Sequence, residues 1–202
     1  MAYSEFTVSK IKQEFGIHLD EKGNHFGKLE PIKISQHLRE QLDEGVPLAS
    51  MINTEKARSE QIISPVLLEA RRQAGCSVSI FSGVEFNVDE KKGLKGNCDF
   101  LLSLSEEQLV VESPIVAVAE SKNDNVVSGY GQCLAEMVAV REFNKQRGEK
   151  DRTVYGIATT GSIWKFVKLL DNTAYLDSVD YHISQIDNIV GIIVAMLRET
   201  AG

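Results

Sequence analysis

The sequence predicts a layered α/β domain, and three observations carry that expectation. Segments of helical spacing alternate with short runs rich in β-branched and aromatic residues. Three such runs follow one another before a long apolar helix, and a fourth comes after it. That order suits three antiparallel strands, with the fourth joined in parallel through a right-handed crossover. At 202 residues the chain is long enough to bury a proper core.

Residues 1–50 are polar and weakly periodic, with turn signals at Asp20–Gly27 and Asp43–Pro47. They read as a mostly helical N-terminal extension, its second helix near Ser35–Leu42, leaving 51–202 as the main domain. In 54–73, Ile62, Ile63, Val66, Leu67 and Ala70 recur at helical spacing, and Pro65 kinks this helix or opens a new one capped by Ser64. CSVSIFSGVEFNV (76–88), NCDFLLSL (97–104) and IVAVAESK (115–122) read as strands. The apolar helix is 129–146; its leading Gly-Tyr-Gly lacks the rest of any nucleotide-binding fingerprint and reads as turn and cap. TVYGIAT (153–159) is the fourth strand, 162–170 and 173–181 form a hairpin turning at Asp171–Asn172, and 184–200 closes the chain as an amphipathic helix. Trp164 and Tyr155 have base-stacking chemistry, but strand aromatics belong to the core.

Hydrophobic residues make up 43% and charged residues 25%, as in ordinary globular proteins. No apolar run is long enough for a membrane span, and the first fifteen residues lack the apolar stretch of a secretory signal. Cys76, Cys98 and Cys133 show no metal-ligand spacing and cannot all pair, which suits reduced thiols in a cytoplasmic protein. The four histidines show none either. A net charge of −7 runs against extensive phosphate contact, because proteins that hold DNA by many phosphates are usually basic. The charge is uneven, however: residues 51–100 carry seven acidic and seven basic side chains, with Lys91, Lys92 and Lys95 in one turn.

The chemistry concentrates on two strands. Side chains alternate faces along a strand, so Cys98, Phe100, Leu102 and Leu104 point one way and Asp99, Leu101 and Ser103 the other. Glu120 and Lys122 share a face with Val116 and Val118. Antiparallel pairing that sets Asp99 opposite Glu120 also sets Leu104 opposite Ile115, leaving a ten-residue connection. Opposed carboxylates repel unless something bridges them. A divalent cation such as Mg²⁺ or Mn²⁺ suits their hard oxygens, and a local ion pair with Lys122 is the alternative.

Asp99, followed twenty-one residues on by Glu120-Ser121-Lys122 behind an apolar strand, resembles the D…ExK signature of the PD-(D/E)XK nuclease superfamily. The order of elements over about residues 52–160 resembles that family's core, most of all the N-terminal nuclease region of type I restriction-enzyme motor subunits. Cys98 stands where the family nominally has proline, a position that varies. The resemblance implies a restriction-endonuclease-like core and metal-dependent hydrolysis of nucleic acid, DNA before RNA. Asp99 and Glu120 would chelate Mg²⁺ or Mn²⁺, while Lys122 would orient water or stabilise developing charge. A leading-helix acid would complete the metal set; periodicity does not choose between Glu55 and Glu60, and the resembling pattern favours Glu60. Gln132, at the start of the second helix, would hold water or phosphate, or else satisfy backbone groups. A non-catalytic module binding nucleic acid or a protein is the rival reading. Homodimerisation or a partner subunit would supply the DNA-binding surface that this acidic chain lacks.

Overall fold

A computed structural model describes residues 2–201. Thr7 caps helix α1 (Val8–Phe15), its side chain accepting from the Lys10 N–H, and left-handed Gly16 ends the helix before strand β1 (His18–Asp20). Ser35 caps α2 (Gln36–Ile52), which runs ten residues beyond the expected end and carries Pro47 inside it. The leading helix is α3 (Glu55–Arg58), a π turn (Ser59–Ile63) and α4 (Ser64–Ala74) in unbroken succession. Proline explains the π turn. Pro65 has no N–H to return to the Gln61 carbonyl, and the Ser64 N–H bonds back to Ser59 instead. The Gln61 carbonyl lies against Gly45 of α2, where any Cβ would sit only 2.5 Å from that oxygen.

Strands β2 (Ser79–Glu85), β3 (Asn97–Ser103) and β4 (Ile115–Ser121) pair antiparallel in sequence. Helix α5 (Tyr130–Gln146) then crosses over to β5 (Val154–Thr159), which lies parallel to β4. Strands β6 (Ile163–Leu170) and β7 (Thr173–Leu176) form the hairpin, β8 (Tyr181–His182) pairs with β6, and α6 (Ile186–Ala201) ends the fold. The eight-stranded mixed sheet has the order β1-β7-β6-β5-β4-β3-β2, with β8 beside β6. Among the described residues no helix is long and apolar enough to cross a membrane.

Each face of the sheet carries its own core. Helices α2, α4 and α6 cover one; α1, α5 and the N-terminal segment cover the other. Of the N-terminal extension, Phe26, Ile34, Leu38, Leu42 and Ala49 join the first core and Tyr3, Phe6, Ile11 and Ile17 the second. Trp164 and Tyr155 are fully buried, which fits the core reading and removes them from base stacking.

Strict face alternation fails at two places, and both bear on the site. Leu102 pairs with Ala117 but Ser103 pairs with Ile115, so Val116 is an extra residue, a β-bulge. Leu104 therefore meets Pro114 rather than Ile115, and Val116 joins the opposite core from Val118. Cys98 likewise packs in the same core as Leu101, three residues on, instead of with Phe100 and Leu102. The neighbouring strand slips in step: Phe81 and Val84 both pack on that side, around Gly83 at φ 64°. Only glycine takes such a backbone without strain.

Candidate functional site

Asp99 sits at this slip. Beyond the Phe100–Ala119 pair, one further step of the same register sets Asp99 across from Glu120. Its Oδ2 accepts the Ser121 N–H at 2.8 Å, taking over a ladder bond where the two strands part. The Asp99 side chain lines an open depression of about 400 Å³ with Glu55, Ser59, Glu60, Gly83 and Ser121. Burial raises its pKa above the usual carboxylate range, and the Ser121 bond and the Lys122 charge only partly offset that.

Glu120 and Lys122 project on the α5 side, as the shared face with Val118 requires. Lys122 Nζ donates to Glu120 Oε1 at 2.5 Å and reaches Gln132 Oε1 at 3.4 Å. Gln132 Nε2 donates in turn to Glu136 Oε1 at 3.1 Å, and the buried Glu120 and Glu136 carboxyls act on each other through charge. The four side chains form an open polar chain, Glu120–Lys122–Gln132–Glu136, between the sheet end and α5. Helix α5 is held in place by Asn144, whose amide bonds both the N–H and the C=O of Ile115 at the start of β4. At its other end Gly129 lets the Lys122 stem pass, since a Cβ there would stand 3.1 Å from Lys122 Cγ.

This run of side chains is electrostatically tense. Burial and then the Asp99 charge push Glu120 up to about 7, against the pull of Lys122. Burial and the Glu120 charge raise Glu136 further. Burial draws the Lys122 ammonium down, but hydrogen-bonded Glu120 and then Glu55 and Asp99 outweigh it, so the lysine holds its proton more firmly than usual. A clamp for negative charge suits such a lysine better than a base.

Of the expected residues, Glu120, Lys122 and Gln132 meet by direct hydrogen bonds, and Asp99 joins them through Ser121 and through charge. Gln132 is already engaged on both sides of its amide, so it bridges site side chains rather than standing free for water or phosphate. Both leading-helix acids, Glu55 and Glu60, are exposed and line the depression with Asp99. Glu60 is well exposed at the rim and pairs with Lys56 at 3.7 Å, whereas Glu55 is the leading-helix acid whose charge acts on both Asp99 and Lys122. Glu136 escaped sequence reasoning as a site residue, although an acid alone in the run Leu-Ala-Glu-Met-Val-Ala was a usable sign.

Among the described residues, no three His, Cys, Asp or Glu side chains converge as a metal-binding group. A set of two carboxylates still fits a hard cation such as Mg²⁺, which is commonly held by one or two carboxylates plus waters and substrate phosphate. Glu120 Oε2 supports that fit, being a buried oxygen with no hydrogen-bond donor. Comparison with family models, with curated proteins and with solved structures returned no match.

Proposed function

We propose that this chain is a metal-dependent nuclease of the PD-(D/E)XK type, hydrolysing phosphodiester bonds in DNA. One observation supports the reading: where β3 and β4 part, the Asp99 carboxylate accepts the Ser121 N–H between Glu120 and Lys122, and the Lys122 ammonium is bonded to Glu120. Purely structural ion pairs do not need a second buried carboxylate beside them, because that adds a desolvation cost without adding a cation.

Asp99 and Glu120 would hold the Mg²⁺ or Mn²⁺ ion, which when bound polarises the scissile phosphate and lowers the pKa of water. Lys122 stands beside these carboxylates with its proton firmly held, so it binds a phosphate oxygen and stabilises the charge that develops on it. The Ser121 N–H keeps Asp99 aimed, and the Gln132 amide limits where the lysine can swing. Glu55, whose charge acts on Asp99 and Lys122, is the third acid of the site in place of Glu60. A cytoplasmic setting goes with this reading and is supported by three unpaired cysteines. DNA is the substrate and a second subunit supplies the basic surface.

The test uses purified full-length chain with plasmid DNA, single-stranded DNA and RNA, with Mg²⁺ or Mn²⁺ and with EDTA. Cleavage should stop with EDTA. It should fall by about a hundredfold or more in Lys122→Ala with metal affinity retained, and Asp99→Ala should lose metal affinity itself. Cleavage that survives Lys122→Ala would mark a contaminating nuclease. Metal binding without cleavage of any substrate would favour a non-catalytic module that binds nucleic acid or a protein partner.

A further inference from the structure

We infer that Gly83 is a positioning residue: its left-handed backbone opens the β2–β3 ladder at one matched position and turns the Asp99 carboxylate from the α5 face to the depression beside the leading helix. This rests on the nuclease reading above and deepens it, by naming what places one of its two metal-binding carboxylates. Pairs run from Ser79–Ser103 to Ser82–Phe100 and resume at Val84–Cys98 and Glu85–Asn97. Gly83 and Asp99 alone drop out of that ladder, one from each strand, so the register is the same on both sides of the gap. Both strands change face across it. Phe81 and Val84, three residues apart, pack in the core under α5, and so do Cys98 and Leu101. Regular alternation from Leu101 would hold Asp99, two residues away, on that same α5 face. Instead Asp99 lines the depression with Ser59, Glu60, Gly83 and Ser121 and accepts the Ser121 N–H.

Gly83 has φ 64°, a conformation that residues with a Cβ disfavour. Room is not the reason for the glycine, because a Cβ there would meet nothing within 4 Å. What glycine supplies is the backbone conformation alone, and two substitutions can therefore isolate it. Asn also enters the left-handed region, whereas β-branched Val resists it and favours the extended backbone of a regular ladder. The test uses the full chain as wild type, Gly83→Asn and Gly83→Val, with amide hydrogen exchange along β4 and Mn²⁺ binding by calorimetry. In Gly83→Val the Ser121 N–H should exchange about tenfold faster or more, as the loss of a hydrogen bond to a charged group implies. The other β4 amides should hold. Mn²⁺ affinity should fall about tenfold or more, as when a metal ligand loses its support. Gly83→Asn should stay close to wild type in both measurements. If the Val chain does not fold, Gly83→Ala carries the same expectations.

Unchanged protection of Ser121 in Gly83→Val would overturn the inference, since Asp99 would then be placed without Gly83. Equal acceleration in the Asn and Val variants would also overturn it, because the effect would follow the added side chain rather than the backbone. Faster exchange along all of β4 would do the same, assigning Gly83 to the stability of the sheet. Faster exchange at Ser121 alone, with metal bound by none of the proteins or equally by all, would uphold Gly83 and remove Asp99 from the metal set of the nuclease reading.

Discussion

At the scale of single residues, Lys122 and Glu120 set the pH behaviour of the fold. An acid with a raised folded pKa binds its proton more tightly in the folded chain than in the unfolded one. Its contribution is therefore full below the unfolded pKa, about 4.3 for glutamate, and is lost as pH rises through about 7. Without added metal, the urea midpoint should decline between pH 5.5 and pH 8. Lys122→Met takes away the one cation bonded to Glu120. The decline should then steepen, costing up to about 3 kcal/mol at pH 8, where Glu120 is ionised without a partner. Midpoints that stay level in both proteins would show that Glu120 is not strained by burial.

Among the elements, α2 depends on a distant acid for its start. Glu69 of α4 is buried and accepts the Ser35 N–H at 2.8 Å and the Ser35 hydroxyl at 2.9 Å, so it braces the residue that caps α2. Burial opposes ionisation of Glu69, yet these bonds, with those from Gln73 and the charge of Arg72, hold its pKa below the usual range. A lowered acid stabilises above its unfolded pKa and loses that contribution as pH falls through the folded value. Glu69→Gln should cost about 1–3 kcal/mol at pH 7, and the difference from wild type should shrink below pH 4. A penalty that is the same at both pH values would assign the effect to shape rather than charge. The contact of α2 with the π turn is a second joint. Gly45→Ala would drive a methyl onto the Gln61 carbonyl. Thermal unfolding should register a loss of about 1–3 kcal/mol, and a neutral result would mean the two helices are not tightly seated.

For the whole molecule, the two sheet faces each carry a core to which residues before 51 contribute. A chain beginning at residue 51 would lose the apolar cover that Tyr3, Phe6, Phe26 and Leu38 give to both faces. It should show reduced helicity by circular dichroism and fast cleavage in limited proteolysis; a stable fragment would restore the boundary at residue 50. Net charge acts at the same scale. With −7 on the chain, DNA affinity should be weak and should fall with salt on a shallow slope, reflecting few phosphate contacts. A steep slope in a fluorescence titration would reveal a basic surface formed by association.

The sequence by itself determined the kind and order of the main elements from the leading helix onward, though not β1 or β8. Strands at 97–103 and 115–121, the crossover through α5 and the turn at Asp171–Asn172 could all be read from β-branched runs, helical spacing and turn residues. These are local properties, and local periodicity expresses them. Counting residues also brought Asp99 to the end of β4, where its carboxylate accepts the Ser121 N–H. What periodicity could not carry was any departure from it. The bulge at Val116, the slip at Gly83 and Asp99 and the π turn before Pro65 each shift which way a side chain points. Only the packing of both cores selects among those alternatives. Tertiary structure set both Glu55 and Glu60 at the depression that Asp99 lines. It also linked Glu136 to Lys122 through Gln132, since a contact between a helix and a strand end depends on how closely α5 settles on the sheet.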